Sequence, residues 1–153
     1  MGSLDGTDSV EIDAPLQRVF EIVADIERAP AWQVALKEAQ VLERDEDGRP
    51  SLVDTVADAQ VKELSLQLRF SYLGAPHRVA FEKVHGDLKA LRGTWTLEEL
   101  GPSRTRVTYE LHGDPGRMLG MLIRGPVESR IHDALIHEPI RGLKVQAEEA
   151  AAA

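Results

Sequence analysis

Apolar and polar positions alternate along most of the first hundred residues, and then the alternation stops. Val10 and Ile12 alternate with polar neighbours over 8–13, which reads as a short first strand. Asp13-Ala14-Pro15 supplies a helix N-cap and a first-turn proline, and Leu16, Val19, Phe20 and Val23 share one side of the helix that follows. That helix stops near Asp25. A second short one runs from Ile26 to about Ala29 and is closed by Pro30, with Trp32 directly after it. Beyond Val34 the period becomes two. Strands over 38–45 and 51–61 flank the hairpin signal Asp47-Gly48, with Val53, Thr55, Ala57, Ala59 and Val61 on one face. Leu64, Leu66, Leu68, Phe70 and Tyr72 carry the cleanest alternation in the chain. It continues through Val79 and Phe81, then Leu91, Gly93, Trp95 and Leu97, then Val107, Tyr109 and Leu111. Gly74-Ala75-Pro76, Gly86-Asp87 and Gly101-Pro102 are the intervening turns.

After Asp114-Pro115-Gly116 the spacing changes to three and four. Met118, Leu119, Leu122, Ile123, Val127, Ile131 and Leu135 paint one stripe on a helix from Asp114 to about Glu149. At ~1.5 Å per residue such a helix reaches about 45 Å, so it must lie across something apolar. Gly125-Pro126 and Pro139 fall inside it, and a break or kink is expected near each proline. The alanine-rich tail, Ala147–Ala153, is expected to fray. Strands joined by short turns pair antiparallel, and helices kept apart from a run of strands give an α+β fold. The sheet's apolar face needs a cover, and only the last helix is long enough to provide it.

Composition narrows the class. A chain of 153 residues, 42% hydrophobic and 29% charged, fits a single domain over 1–153 with an ordered core at about 8–148. No apolar run approaches a membrane span, so no stable membrane insertion is expected. The N-terminal residues lack the basic and apolar regions of a signal peptide, and a cytoplasmic location is the expectation. With no cysteine there is no disulfide, thiolate nucleophile or Cys-ligated metal. A formal charge of −8 argues against nucleic acid as a partner.

Candidate chemistry is sparse. There is no His-Glu-x-x-His, Gly-x-Ser-x-Gly, Gly-x-Gly-x-x-Gly or P-loop, so neither metal nor cofactor is indicated. Glu98-Glu99 and the acidic turn Glu43–Asp47 read as solvated surface. Arg69 and Arg92 are predicted to face solvent, while the parity of Lys83 and Lys89 is open. The aromatic residues carry more information. Phe70, Tyr72, Phe81, Trp95 and Tyr109 lie on the last four strands and, by parity, all face the long helix. With the small residues Ala57, Ala59 and Gly93 on the same face, the pattern predicts an apolar cavity between sheet and helix. Trp32 either plugs the sheet's open end or forms the entrance wall. The expected ligand contacts are Trp32, Ala57, Ala59, Leu68, Phe70, Tyr72, Phe81, Trp95 and Tyr109 from the sheet side, and Met118, Leu122, Ile131 and Leu135 from the helix. Tyr72, Tyr109 and His132 are the candidates for moving a proton there.

Three segments together resemble a known superfamily. They are Val10-Glu11-Ile12-Asp13-Ala14-Pro15-Leu16-Gln17-Arg18-Val19-Phe20 with Ala31-Trp32 after it, Phe81-Glu82-Lys83-Val84-His85-Gly86-Asp87 running on to Gly93-Thr94-Trp95, and Thr105-Arg106-Val107-Thr108-Tyr109-Glu110-Leu111. The chain resembles the START-like (SRPBCC) helix-grip superfamily, and within it the polyketide cyclase/dehydrase and lipid-transport group, over about residues 8–148. The resemblance implies a seven-stranded curved antiparallel sheet, two short helices between strands 1 and 2, and a long C-terminal helix packed across the sheet around a hydrophobic ligand cavity. It implies a small hydrophobic or aromatic ligand of lipid, quinone or polyketide type. An aromatase/cyclase or dehydratase using the same cavity is the alternative, and surface binding of a protein partner, as in toxin-like relatives, the second. No cyclase motif can be placed residue by residue, so no catalytic residue is carried over. A homodimer through the outer sheet edge is compatible with the pattern and is not specified by it.

Overall fold

The computed structural model describes residues 4–152. Seven strands form one antiparallel sheet: β1 (Gly6–Ile12), β2 (Leu36–Arg44), β3 (Pro50–Asp58), β4 (Glu63–Ser71), β5 (Arg78–Gly86), β6 (Ala90–Gly101) and β7 (Arg104–Asp114). Their order is β1-β7-β6-β5-β4-β3-β2, a meander from β2 to β7 with the first strand returning beside the last. Every pair of neighbours is antiparallel, as short connections require. Helix α1 (Leu16–Ala24) and a 3-10 helix at Ile26–Ala31 join β1 to β2. Leu16, Val19, Phe20 and Val23 are buried, as their spacing predicts. Asp13 does not cap α1. The residue before the helix is Pro15, with no side-chain cap, and Asp13 instead donates its backbone N–H to Glu148.

Several strand ends differ from the sequence pattern. The return strand stops at Asp58, so Ala59 and Val61 lie in the turn after it, where the Ala59 N–H bonds the Lys62 carbonyl. Strand β5 carries a bulge. Gln67 pairs with His85 and Leu68 with Lys83, which leaves Val84 as the extra residue and reverses the parity beyond it. This is the physical reason that alternation could not place Lys83.

The C-terminal region departs most from expectation. No single helix begins at Asp114. A single turn, α2 (Arg117–Gly120), comes first, and the long helix starts only at Pro126. Gly125 has φ +61, and proline, which has no N–H to lose, occupies the first helical position. From there the helix continues unbroken as α3 (Pro126–His132), a wider π-type turn at Asp133–His137, and α4 (Glu138–Ala152). Pro139 therefore does not interrupt it. The wider turn directly before Pro139 is the adjustment that relieves the clash of a proline ring with the carbonyl one turn back. At ~1.5 Å per residue the continuous helix reaches about 40 Å. Its tail is not frayed where the sequence suggested: Ala147 is fully buried and the helix extends to Ala152.

Helix α4 packs against β1, α1 and β7. Gly142 permits this packing, because any Cβ there would run into the backbone carbonyl of Trp32. The main core gathers the inner residues of the sheet, the buried face of α1 and Ile136, Ile140, Leu143 and Ala147 of the long helix. A second, smaller cluster of Leu4, Ile123 and Ile131 lies under the segment that precedes the long helix.

Candidate functional site

The space between sheet and helix is partly filled by aromatic rings. Phe70 and Phe81 are cross-strand partners with ring centroids 5.5 Å apart, and Phe81 lies 6.4 Å from Tyr109. Tyr109 and Trp95 stack at 4.1 Å, and Trp32 meets Trp95 edge-on at 6.1 Å. The room expected at Gly93 is taken by its cross-strand neighbour: the Phe81 ring lies over the bare glycine backbone. Beside these rings a hollow of about 90 Å³ remains. It is walled by Val23 and Ile26 near α1, by inward residues of β3, β4, β6 and β7, and by Ala134, Leu135 and Pro139 of the long helix.

Seven of the expected contacts line this hollow: Ala57, Leu68, Phe70, Phe81, Trp95, Tyr109 and Leu135. The others lie elsewhere. Trp32 stands behind Trp95 and is buried. Ala59 is buried in the β3–β4 turn, and Ile131 belongs to the smaller cluster. Met118 and Leu122, which helical spacing puts on the inner stripe, point to solvent because the long helix does not include them. Tyr72 is held at the far end of β4, where its hydroxyl donates to the Pro50 carbonyl at 2.6 Å and Arg49 lies over its ring. Burial, with Asp45 adding to it, pushes its phenol up. His132 is half-buried on α3, 4.0 Å from Glu128, and does not line the hollow.

Tyr109 is the one proton-bearing candidate that reaches the hollow. It is 5% exposed, and burial pushes its phenol above the ordinary tyrosine value. Among the described residues no buried polar side-chain atom lacks a partner, and no hydrogen bond joins the Tyr109 hydroxyl to any of them, so that oxygen keeps some accessible surface on a residue that lines the hollow. Two further polar groups line the wall. Thr55 donates to the Leu66 carbonyl at 3.0 Å, which leaves its oxygen as an acceptor only. Gln33 contributes an amide from the loop after the 3-10 helix. Sequence pattern sets Thr55 on the inner face. Gln33 carries no such signal, because loop residues follow no period. Leu88, another wall residue, adopts φ +71 in the β5–β6 turn, a conformation that nothing in its type announces.

No group of His, Asp or Glu among the described residues could hold a metal ion. Nor is any described helix long and apolar enough to cross a membrane.

Known structures share this architecture. A START superfamily protein from Mycobacterium smegmatis superposes with a TM-score of 0.83 at 21% identity, covering 97% of this chain and 99% of that one. A protein from Thermus thermophilus gives 0.82 at 22% identity, covering 96% and 99%. The Zhui aromatase/cyclase from Streptomyces sp. R1128 gives 0.71 at 17% identity, covering 97% and 93%. At such identities the likeness is one of fold. No curated protein matches the sequence significantly. The family described as polyketide cyclase/dehydrase and lipid transport matches residues 12–138. With that match spanning most of the chain on a helix-grip architecture, the protein belongs to the polyketide cyclase/dehydrase and lipid transport family.

Proposed function

We propose that the protein binds a small apolar ligand with a hydrogen-bond acceptor, of quinone, polyketide or lipid-carbonyl type, between the sheet and the long helix. One observation carries this reading: an apolar hollow lined by a buried tyrosine whose hydroxyl has no partner among the described residues. A ligand carbonyl would complete that bond in a dry setting, and the aromatic wall would supply desolvated area at ~25 cal/mol per Å². The hollow holds only a few water volumes at ~30 Å³ each, and ligand pockets typically run to about 300–1,000 Å³. Binding therefore requires the walls to part. The wall towards α2 is the natural place, since Leu88 and Leu135 line the hollow and also border the smaller cluster that Leu119 packs against.

Cyclase or dehydratase chemistry in the same space is the second reading, and Tyr109 favours it over the other two candidates. A phenol pushed up by burial donates a proton or a hydrogen bond and is a poor base at neutral pH. Binding is the simpler reading, because among the described residues no carboxylate, histidine or lysine lines the hollow with Tyr109.

The test is a thermal-shift and tryptophan-fluorescence titration with 1,4-naphthoquinone, a long-chain methyl ketone and the parent alkane. Saturation at about 100 Kd stabilises by ~2.7 kcal/mol, a shift of several degrees. Quenching of Trp95, at the hollow's wall, should accompany it. The carbonyl compounds should bind more tightly than the alkane. Absence of both shift and quenching across the panel would overturn the proposal.

A further inference from the structure

We propose that the segment between β7 and the long helix, residues 115–125, is a docking surface for an anionic lipid bilayer. Met118 is 85% exposed, Met121 57% and Leu122 58%, three large apolar side chains within five residues. Exposed apolar groups grouped in this way mark an interaction surface. Their exposure is built in. Ile123 of the same segment is buried with Leu4 and Ile131, and Leu119 packs against that cluster, so the segment is anchored with its other side outward.

Charge indicates the partner. Arg117 and Arg124 flank the apolar side chains, are exposed, and make no ion pair with any described residue. From Pro115 to Val127 there is no acidic residue, in a chain whose formal charge is −8. The nearest carboxylates in sequence lie outside the segment, Asp114 paired with Lys89 at 3.9 Å and Glu128 on the long helix 4.0 Å from His132. Apolar tips between two arginines that pair with none of the described residues match a surface with acyl chains below anionic headgroups. The net charge of the whole chain does not forbid this, since at physiological salt only charges within ~8 Å of the headgroups act strongly. A second copy of the chain fits poorly. It would bring four arginines together with no acid from the segment, and three side chains fall far short of the ~800 Å² per partner of a stable interface. Docking would also bring the wall at Leu88 and Leu135 towards the bilayer, and were that wall to part, an apolar ligand would enter without crossing water.

Cosedimentation tests this without any ligand, so it stands apart from the binding reading above. The wild-type chain is mixed with vesicles of phosphatidylcholine alone and of phosphatidylcholine with phosphatidylglycerol. It should sediment with the anionic vesicles, less so as salt rises. Arg117→Gln with Arg124→Gln should weaken that binding by roughly 25-fold, about fivefold for each arginine. Met118→Ser, Met121→Ser and Leu122→Ser together should abolish it while both arginines remain. All five side chains lie in solvent, so near-ultraviolet circular dichroism should match wild type. No sedimentation, equal binding to both vesicle types, or full binding by either variant would overturn the proposal. So would vesicle-free dimerisation that the triple variant abolishes, which would give the patch to a second copy.

Discussion

Trp95 and Tyr109 are partners across the β6–β7 ladder, and their rings stack with centroids 4.1 Å apart. The stack serves as a wall. It fixes the tyrosine ring by its face on the hollow's wall, while the hydroxyl at the ring's end has no partner among the described residues. Apolar packing thus holds a polar group that bonds to none of the described residues.

Tyr109→Phe follows directly. Because the hydroxyl has no partner among the described residues, removing it should change stability by less than about 0.5 kcal/mol in urea denaturation. Affinity for a quinone or ketone should fall roughly fivefold, the worth of one hydrogen bond of ~1 kcal/mol, with no change for the alkane. Since burial raises its pKa above the ordinary value near 10, this contribution should be constant between about pH 5 and pH 9. A large stability loss in Tyr109→Phe would mean that the hydroxyl is used internally.

Ala57 lies on the hollow's wall in β3. Ala57→Leu should fill the space, leaving stability unchanged or raising it by up to about 1 kcal/mol. Binding of every panel compound should be lost together. Retained naphthoquinone affinity in isothermal titration calorimetry would move the ligand site away from the hollow.

Gly142 is predicted to be intolerant. Alanine is worth ~1 kcal/mol more than glycine in a helix interior, so propensity alone would make Gly142→Ala stabilising. The close approach of the Trp32 carbonyl should reverse the sign and cost about 1–3 kcal/mol net. A lower urea midpoint, with altered Trp32 fluorescence, is the expected result.

Glu148 ties the end of α4 to the start of α1. It accepts the Asp13 backbone N–H at 2.9 Å and the Lys144 ammonium at 2.6 Å, and these hold its carboxyl below the usual glutamate range, the backbone bond contributing most. A depressed folded-state pKa means stabilisation that is complete above the unfolded value of ~4.3 and is lost as pH falls through the folded value. Glu148→Gln should therefore lower the melting temperature at neutral pH. The gap to wild type should close as pH falls from about 6 to about 3. A gap independent of pH would show that the carboxylate charge is not what matters.

Much of the fold is legible in the sequence because the sheet has one wet and one dry face. Leu64, Leu66, Leu68 and Phe70 alternate strictly with more exposed residues, and β4 buries those four. Where the backbone departs from regular geometry, the reading fails. The bulge at Val84 shifts parity, and Asp58 ends β3 before Ala59. The apolar spacing of Met118 and Leu122 looks helical, yet Gly125 at φ +61 separates them from the long helix. Ile123 and Ile131 of the same stripe are both buried, on either side of the break that Gly125-Pro126 predicts.

Local pattern therefore determined the element order, the antiparallel sheet and the aromatic face, since strand period and turn chemistry act between near neighbours. Tertiary packing decided how much space survives behind those rings, that Phe81 rather than a void covers Gly93, and that the Tyr109 hydroxyl on the hollow's wall has no partner among the described residues. These depend on side-chain volumes meeting across elements far apart in the chain, and such sums carry no periodic trace in the sequence.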